Sequence, residues 1–343
     1  MSDKVSLRIG NREFSNFTSY SADSDFYLAA DAWDVSAQGV IDGVATGQRA
    51  QLYVNGSLEL DGMVDVLRSE VKKGDIPFKL AGRDLAGLLV DSHCPGYGDM
   101  VNVTLKALTE KLIAKVPFIQ RSDVSYQYTK DTPEFTWQSI YVEPCRPIFE
   151  VLSEKAKACG LVFYSMPNGK FYFGRPRSTG KVNFHLTLRK DGVGNNCKYA
   201  GCIDDISKRY SEVNVISNAQ GSDSLATSQF SVAATMKDPS FPKDAAGNVI
   251  YKPFYFIEST GALTPQKQAK MILNMQRRQG FGLVYHVPGH SQGGMNWSIN
   301  ELCSVDDEVQ KKHGTYFVYG RKFICNKKEG AYTEVRLGLP ELE

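Results

Sequence analysis

Alternation of apolar and polar positions organises the first part of the chain. Val5, Leu7 and Ile9 alternate with polar neighbours, and Gly10-Asn11 supplies a turn before Phe14. In AQLYVNGSLELDG two alternating runs flank Asn55-Gly56, a pair suited to the positive φ angles of a type I′ hairpin turn. The second run continues from Ser57 to about Leu67, Lys72-Lys73-Gly74 turns the chain, and Ile76, Phe78 and Leu80 alternate again. At Gly82 the period changes. Leu85, Leu88 and Leu89 then fall at i, i+3, i+4, one face of a short helix that Pro95-Gly96 ends. The corner residues Gly82, Arg83 and Asp84 read as architectural: glycine relieves the backbone, and Asp84 caps the first free amides of the helix. Several antiparallel strands closed by a helix predict a small β-barrel.

Beyond Pro95 the helical period takes over. Thr104 caps a helix whose Leu105, Leu108, Leu112 and Val116 form one stripe, ended by Pro117. Residues 117–144 read as polar, aromatic and irregular. A second helix opens at Pro147, buries Ile148, Val151, Leu152 and Cys159, and reaches Gly160. LVFYSMPNGKFYFG predicts a hairpin through Asn168-Gly169. Residues 203–217 read as one long strand with a kink or bulge, followed by an excursion of low periodicity over about 217–250. That excursion is expected to order against a neighbouring subunit or another protein. After the strand KPFYFIES, Thr264-Pro265 opens the longest helix, running to about Gln279. GFGLVYHVPGH, ELCSVDDEV, TYFVYGRKFIC and YTEVRLGLP are then strands, the last two a hairpin around Asn326 to Gly330.

Composition narrows the classes. The 343 residues suffice for two or three cores, and 42% hydrophobic with 11% aromatic content is globular. Net charge is +2 with no long run of Lys or Arg, unlike the basic footprint of a dedicated nucleic-acid binder. No apolar run reaches membrane-span length, and MSDKVSLRIGNREF lacks the plan of a secretory signal, so synthesis and assembly in the cytoplasm are expected. The odd number of cysteines, 7, irregularly spaced, fits buried thiols in a reducing compartment.

The chemistry-bearing residues do not converge on a reaction. Asp91-Ser92-His93-Cys94 holds every triad type, but near neighbours on a helix end point in different directions. His286 and His290 have i, i+4 spacing, yet Val287-Pro288-Gly289 forbids the helix that would make them a metal pair. Cys197 and Cys202 flank a turn without a second pair to complete a zinc site. GYGD lacks the Lys of a phosphate loop. The numerous carboxylates leave a glycosidase-type pair open. The aromatics of 161–173 are either core or a stacking platform for sugars or bases, and core is the more usual state of such a stripe. No catalytic, cofactor or metal residues are assigned.

The opening SLRIGNREFSNFTSYS, a strand ending in GRD and running into an apolar helix, and the helix–strand–Asn-Gly–strand middle form an ordered set. The end adds Trp297 ahead of a Val-Asp strand, a Gly-Thr-Tyr-Phe-Val strand and a closing Leu-Pro. Together they resemble the baseplate hub proteins of Mu-like contractile phage tails, related in fold to the hub part of type VI secretion spike proteins. The resemblance implies a structural, non-enzymatic protein of the virion tail: a homotrimer adapting the six-fold tail tube to the three-fold central spike. It implies an axial channel for DNA without specific binding, further baseplate partners, no cofactor and no membrane. The expected fold class is α+β and β-rich. A first barrel domain spans 1–98, an α+β middle domain 99–178, and a second barrel domain with the long excursion 179–343. Interface residues and the sign of charge on the channel wall are left open. The alternatives are a carbohydrate- or peptidoglycan-binding module using 161–173 or, less favoured, a cell-wall glycosidase.

Overall fold

The computed structural model describes residues 3–39, 43–71, 73, 76–218, 230–257 and 262–342. Its centre is a 13-stranded sheet built from both ends of the chain. From one edge the order is Tyr199–Asp204, Phe281–Pro288, Gly330–Gly338, Lys312–Asn326, Ser19–Asp25, Ala32–Gln38, Pro77–Asp84, Ser57–Ser69, Arg49–Val54, Val5–Ile9 and Arg12–Phe14. Glu301–Asp307 joins beside Lys312–Asn326 and carries Val182–Leu188 in parallel.

The β-rich, helix-containing class is as expected, but among the described residues no sheet closes into a barrel. The reason lies in one strand. The first part of Lys312–Asn326 pairs with Glu301–Asp307, up to Val318. From Gly320 to Cys325 it pairs instead with Ser19–Asp25. A strand that changes partner midway splices two sheets into one. Their inner faces form a single core, with Leu7, Trp33, Leu52 and Leu80 from one end and Phe184, Leu283, Trp297 and Phe323 from the other.

A second core has all its buried residues within 85–173, with Ala30 packed against it. It packs helices α1 (Ala86–Asp91), α2 (Leu105–Ile113) and α3 (Ile148–Ala158) against two small sheets. Gly98–Thr104 pairs with Thr136–Val142, and Phe171–Gly174 lies between Val162–Ser165 and Val124–Tyr126. The segment 117–144, expected to be irregular, therefore contains two strands. Their signal is weak because one is three residues long and the other exposes most of its side chains. Thr104 caps α2 as expected, its hydroxyl accepting from the Ala107 amide at 3.2 Å.

A third unit sets α4 (Pro265–Gly280), capped by Thr264, against the sheet Phe230–Lys237, Glu212–Asn218, Pro253–Ile257. Two expectations change here. Residues 203–217 are not one strand: Tyr199–Asp204 edges the main sheet, a 3-10 turn at Ile206–Lys208 intervenes, and Glu212–Asn218 enters the small sheet. Asp205 makes that break, its carboxylate accepting from the Ser207 amide at 2.9 Å. The excursion is partly folded, since Phe230–Lys237 pairs antiparallel with Glu212–Asn218, while 219–229 lies outside the described residues. Lys72 and Gly74 of the expected turn also lie outside them.

Both Asn-Gly hairpins form, by different turns. Asn55 and Gly56 take φ of 51° and 84°, as a two-residue type I′ turn requires. At the other only Gly169 is positive, at 76°, and the Met166 amide reaches the Lys170 carbonyl at 2.9 Å, closing a longer loop. The aromatics of this hairpin are interior: Phe163, Tyr164, Phe171 and Phe173 are all buried.

Candidate functional site

The corner at Gly82, Arg83 and Asp84 is where the three-residue motif meets the middle of the chain. The strand Pro77–Asp84 stays extended through all three residues, and Leu85, not Asp84, holds the cap position of α1, without a side-chain cap bond. Inward positions run Phe78, Leu80, Gly82, Asp84, so the period of two never breaks. A glycine and an aspartate on the inner face merely remove the apolar signal.

Gly82 serves close approach rather than a left-handed backbone. A Cβ there would stand 1.9 Å from the Met63 carbonyl oxygen, and one at Gly62 would stand 2.1 Å from that of Arg83. The two strands meet at an irregularity between Val64 and Val66, so both backbones must be bare at this crossing. Arg83 faces the other way and clamps the helix. Its Nε donates to Asp65 at 2.9 Å and its two terminal nitrogens to both oxygens of Asp91, the last residue of α1, at 3.0 and 2.5 Å. The guanidinium holds the Asp91 carboxyl below its ordinary range. Gly87 leaves room for it, since a Cβ on that helix residue would come 3.0 Å from the Arg83 Cβ.

Asp84 is buried at the seam between the main sheet and the middle unit. Ser165, on the aromatic hairpin, donates to its Oδ2 at 2.6 Å, and its own amide donates to the Asp31 carbonyl at 2.8 Å. Burial pushes the Asp84 carboxyl up to about 7, against the Ser165 hydrogen bond and nearby amides that favour the charge. The Asp31 carboxyl accepts from Ser24 Oγ and the Asp25 amide, both at 2.8 Å. It is raised well above its usual range, first by burial and then by the Asp84 charge.

The sequence reading missed Asp31, Ser165 and the neighbouring pair Glu59 and Arg321. One signal was available: strand alternation places Arg321 on the face of Phe323, in the core, where a charge needs a partner. The remaining chemistry-bearing residues do not assemble. Asp91 is taken by Arg83, His93 bonds the Asp91 carbonyl at 3.1 Å, and Cys94 is buried. His286 lies by Glu334 at 3.4 Å, whereas His290 is enclosed between Tyr20 and Thr333. Cys197 is half-buried and Cys202 exposed, both as free thiols. No group of three or more metal-ligating side chains occurs among the described residues.

Residues 4–84, the end that carries the corner, match the family described as Mu phage baseplate assembly protein GpP-like, N-terminal. The chain is 24% identical over 352 residues to baseplate hub protein gp44 of Escherichia phage Mu, covering 98% of this chain and 88% of that protein. Its fold matches the tail protein from Neisseria meningitidis MC58 with a TM-score of 0.80 at 26% identity, over 98% and 97% of the two chains. It matches the 43 kDa tail protein of prophage MuSo2 from Shewanella oneidensis at 0.79 and 19% identity, over 99% of both. A likeness of fold alone extends to the E. coli c3393 protein, a component of the type VI secretion system, at 0.59 and 10% identity, over 98% of this chain and 77% of that one. The chain thus resembles the baseplate hub proteins of Mu-like phages, and these likenesses support a structural tail protein of that kind.

Proposed function

We propose that this chain is the structural baseplate hub of a contractile phage tail, a homotrimeric ring that adapts a six-fold tube to a three-fold spike and leaves an axial channel for DNA. The observation that carries the reading is the likeness to Mu gp44 along 98% of the chain. Two β-rich ends within one subunit support it physically. Two quasi-equivalent surfaces per chain let a three-fold ring offer six matching contacts. In this reading 1–98 and 179–343 are the two tube-type domains and 99–178 the middle domain. Gly82, Arg83 and Asp84 are architectural at their junction. The tube binds one face, the spike the other, and other baseplate proteins the rim. The protein belongs to the virion tail and is assembled in the host cytoplasm. A net charge of +2 fits a conduit that passes DNA without gripping it. No helix among the described residues is long and apolar enough to cross a membrane. The competing reading as a glycan-binding module loses its platform, because the aromatics at 163, 164, 171 and 173 are interior.

Light scattering at micromolar concentration, followed by low-resolution imaging, tests the proposal. The expected particle has three times the mass of the chain and an axial hole, alone or once spike protein is added. A monomer that spike protein leaves unchanged overturns the trimer, and a closed particle overturns the conduit.

A further inference from the structure

A groove of about 360 Å³ lies between the start of the aromatic hairpin and α4. Its floor is apolar and sulfur-rich. Met236, Met271 and Met275 line it with Leu263, so three of the chain's 8 methionines share one surface. Met275 is exposed, and Met236 and Met271 are half-buried. Unbranched, polarizable side chains of this kind suit surfaces that mould to a partner.

The groove is held open by contacts at its ends. The Lys267 ammonium donates to the Asp131 carbonyl at 2.5 Å, and Arg175 pairs with Glu341 at 3.0 Å. Gly160 has no side chain, and a Cβ there would stand 2.8 Å from a Leu263 methyl, so the bare backbone is what seats Leu263. These ties engage both carboxylates of the lining, Asp131 and Glu341. Arg278 is stacked over the Tyr27 ring at 3.6 Å. Lys157 and Lys270 remain on the rim, and neither forms an ion pair among the described residues. Among the described residues the outcome is an apolar trough whose unpaired charge is positive.

We infer that this groove docks an apolar segment of a partner protein that carries flanking carboxylates. The apolar face would cover the methionines and Leu263, and the carboxylates would meet Lys157 and Lys270. Electrostatic complementarity at such a rim sets orientation and selectivity more than raw affinity. The site does not depend on the trimer or on the channel.

The test uses the full chain and a fluorescent amphipathic helical peptide of Leu and Glu, with a counterpart in which Lys replaces every Glu. Anisotropy is expected to show saturable binding of the Glu peptide and binding of the Lys peptide weaker by roughly threefold or more, the scale of two rim ion pairs. Lys157→Glu combined with Lys270→Glu should invert that preference. Met275→Glu, at an exposed position that leaves folding intact, should abolish binding of both peptides. The inference is overturned if the Glu peptide does not bind, if the two peptides bind alike, or if charge reversal on the rim leaves the preference unchanged. It is equally overturned if rim reversal changes the mass of the chain in solution while no peptide binds, since a second copy would then be the occupant.

Discussion

Arg321, wholly enclosed, donates from one terminal nitrogen to both the carboxylate of Glu59, at 2.8 Å, and its backbone carbonyl, at 2.9 Å, across 262 residues of chain. The pair sits where the strands of the two chain ends share one core. Asn296 adds a third hand, donating to the other Glu59 oxygen at 2.8 Å, and the Arg321 guanidinium lies 3.8 Å above the Phe323 ring. Enclosure favours the neutral state of Glu59, raising its carboxyl, while the Arg321 charge opposes that shift.

Removing one member should therefore cost more than removing both. Arg321→Met leaves a buried carboxylate without its cation and is expected to destabilise by about 3–5 kcal/mol in urea denaturation. Adding Glu59→Gln should restore much of that loss, because Asn296 can still donate to the amide oxygen. A single mutant as stable as the parent would show that the pair does not hold the two ends together.

Gly82→Ala tests the strand crossing. The methyl group has no room 1.9 Å from the Met63 carbonyl, so the strands must separate, at about 2–3 kcal/mol or more. Gly282→Ala is the control, since its Cβ would meet nothing nearer than 3.6 Å and its backbone is not left-handed. Equal melting temperatures for the two variants would refute close approach as the reason for Gly82.

Asp84 predicts a pH dependence of defined sign. Its folded value of about 7 lies above the ordinary 3.8, so the folded state binds the extra proton. The stability tied to that proton is complete below about pH 4 and is lost as pH rises through about 7. Asp84→Asn removes the charged form and should stabilise at neutral pH by a few kcal/mol, an effect that fades toward pH 4. Melting temperatures of the two proteins between pH 4 and 8 decide it, and parallel curves would reject it.

His290 slopes the other way. The Thr333 hydroxyl donates to the Gly289 carbonyl at 2.6 Å, so it accepts from the ring Nδ1–H at 3.1 Å. That leaves Nε2 to accept from the Tyr20 hydroxyl at 2.7 Å. Burial lowers the imidazole to about 4 from 6.5, and its contribution is present above about pH 6.5 and lost as pH falls through about 4. Imidazole nitrogen shifts should show a neutral ring protonated on Nδ1 down to about pH 4.5. Titration of this ring near 6.5 would contradict the arrangement.

Local patterns in the chain already fixed much of this molecule. Thr104 and Thr264 cap their helices, Asn55-Gly56 turns its hairpin, and the alternating runs at both ends become strands, because each depends on neighbours only a few residues away. The ordered motifs from Val5 to Pro340 likewise carried the resemblance to tail hubs. What depended on distant partners was decided by the tertiary structure. Gly82 reads as a break in a pattern, and only Met63 on the next strand shows that it is an inward position of an unbroken strand. Asp84 reads as a cap, and the Ala86 and Gly87 amides do favour its charge, but only the tertiary structure shows Ser165 and Asp31 beside it. The barrels expected at each end give way to one open sheet because Lys312–Asn326 changes partner at Gly320, and strand exchange leaves no mark on the strand's own alternation. Side-chain period reports which face is buried; which strand covers that face depends on the path of the rest of the chain.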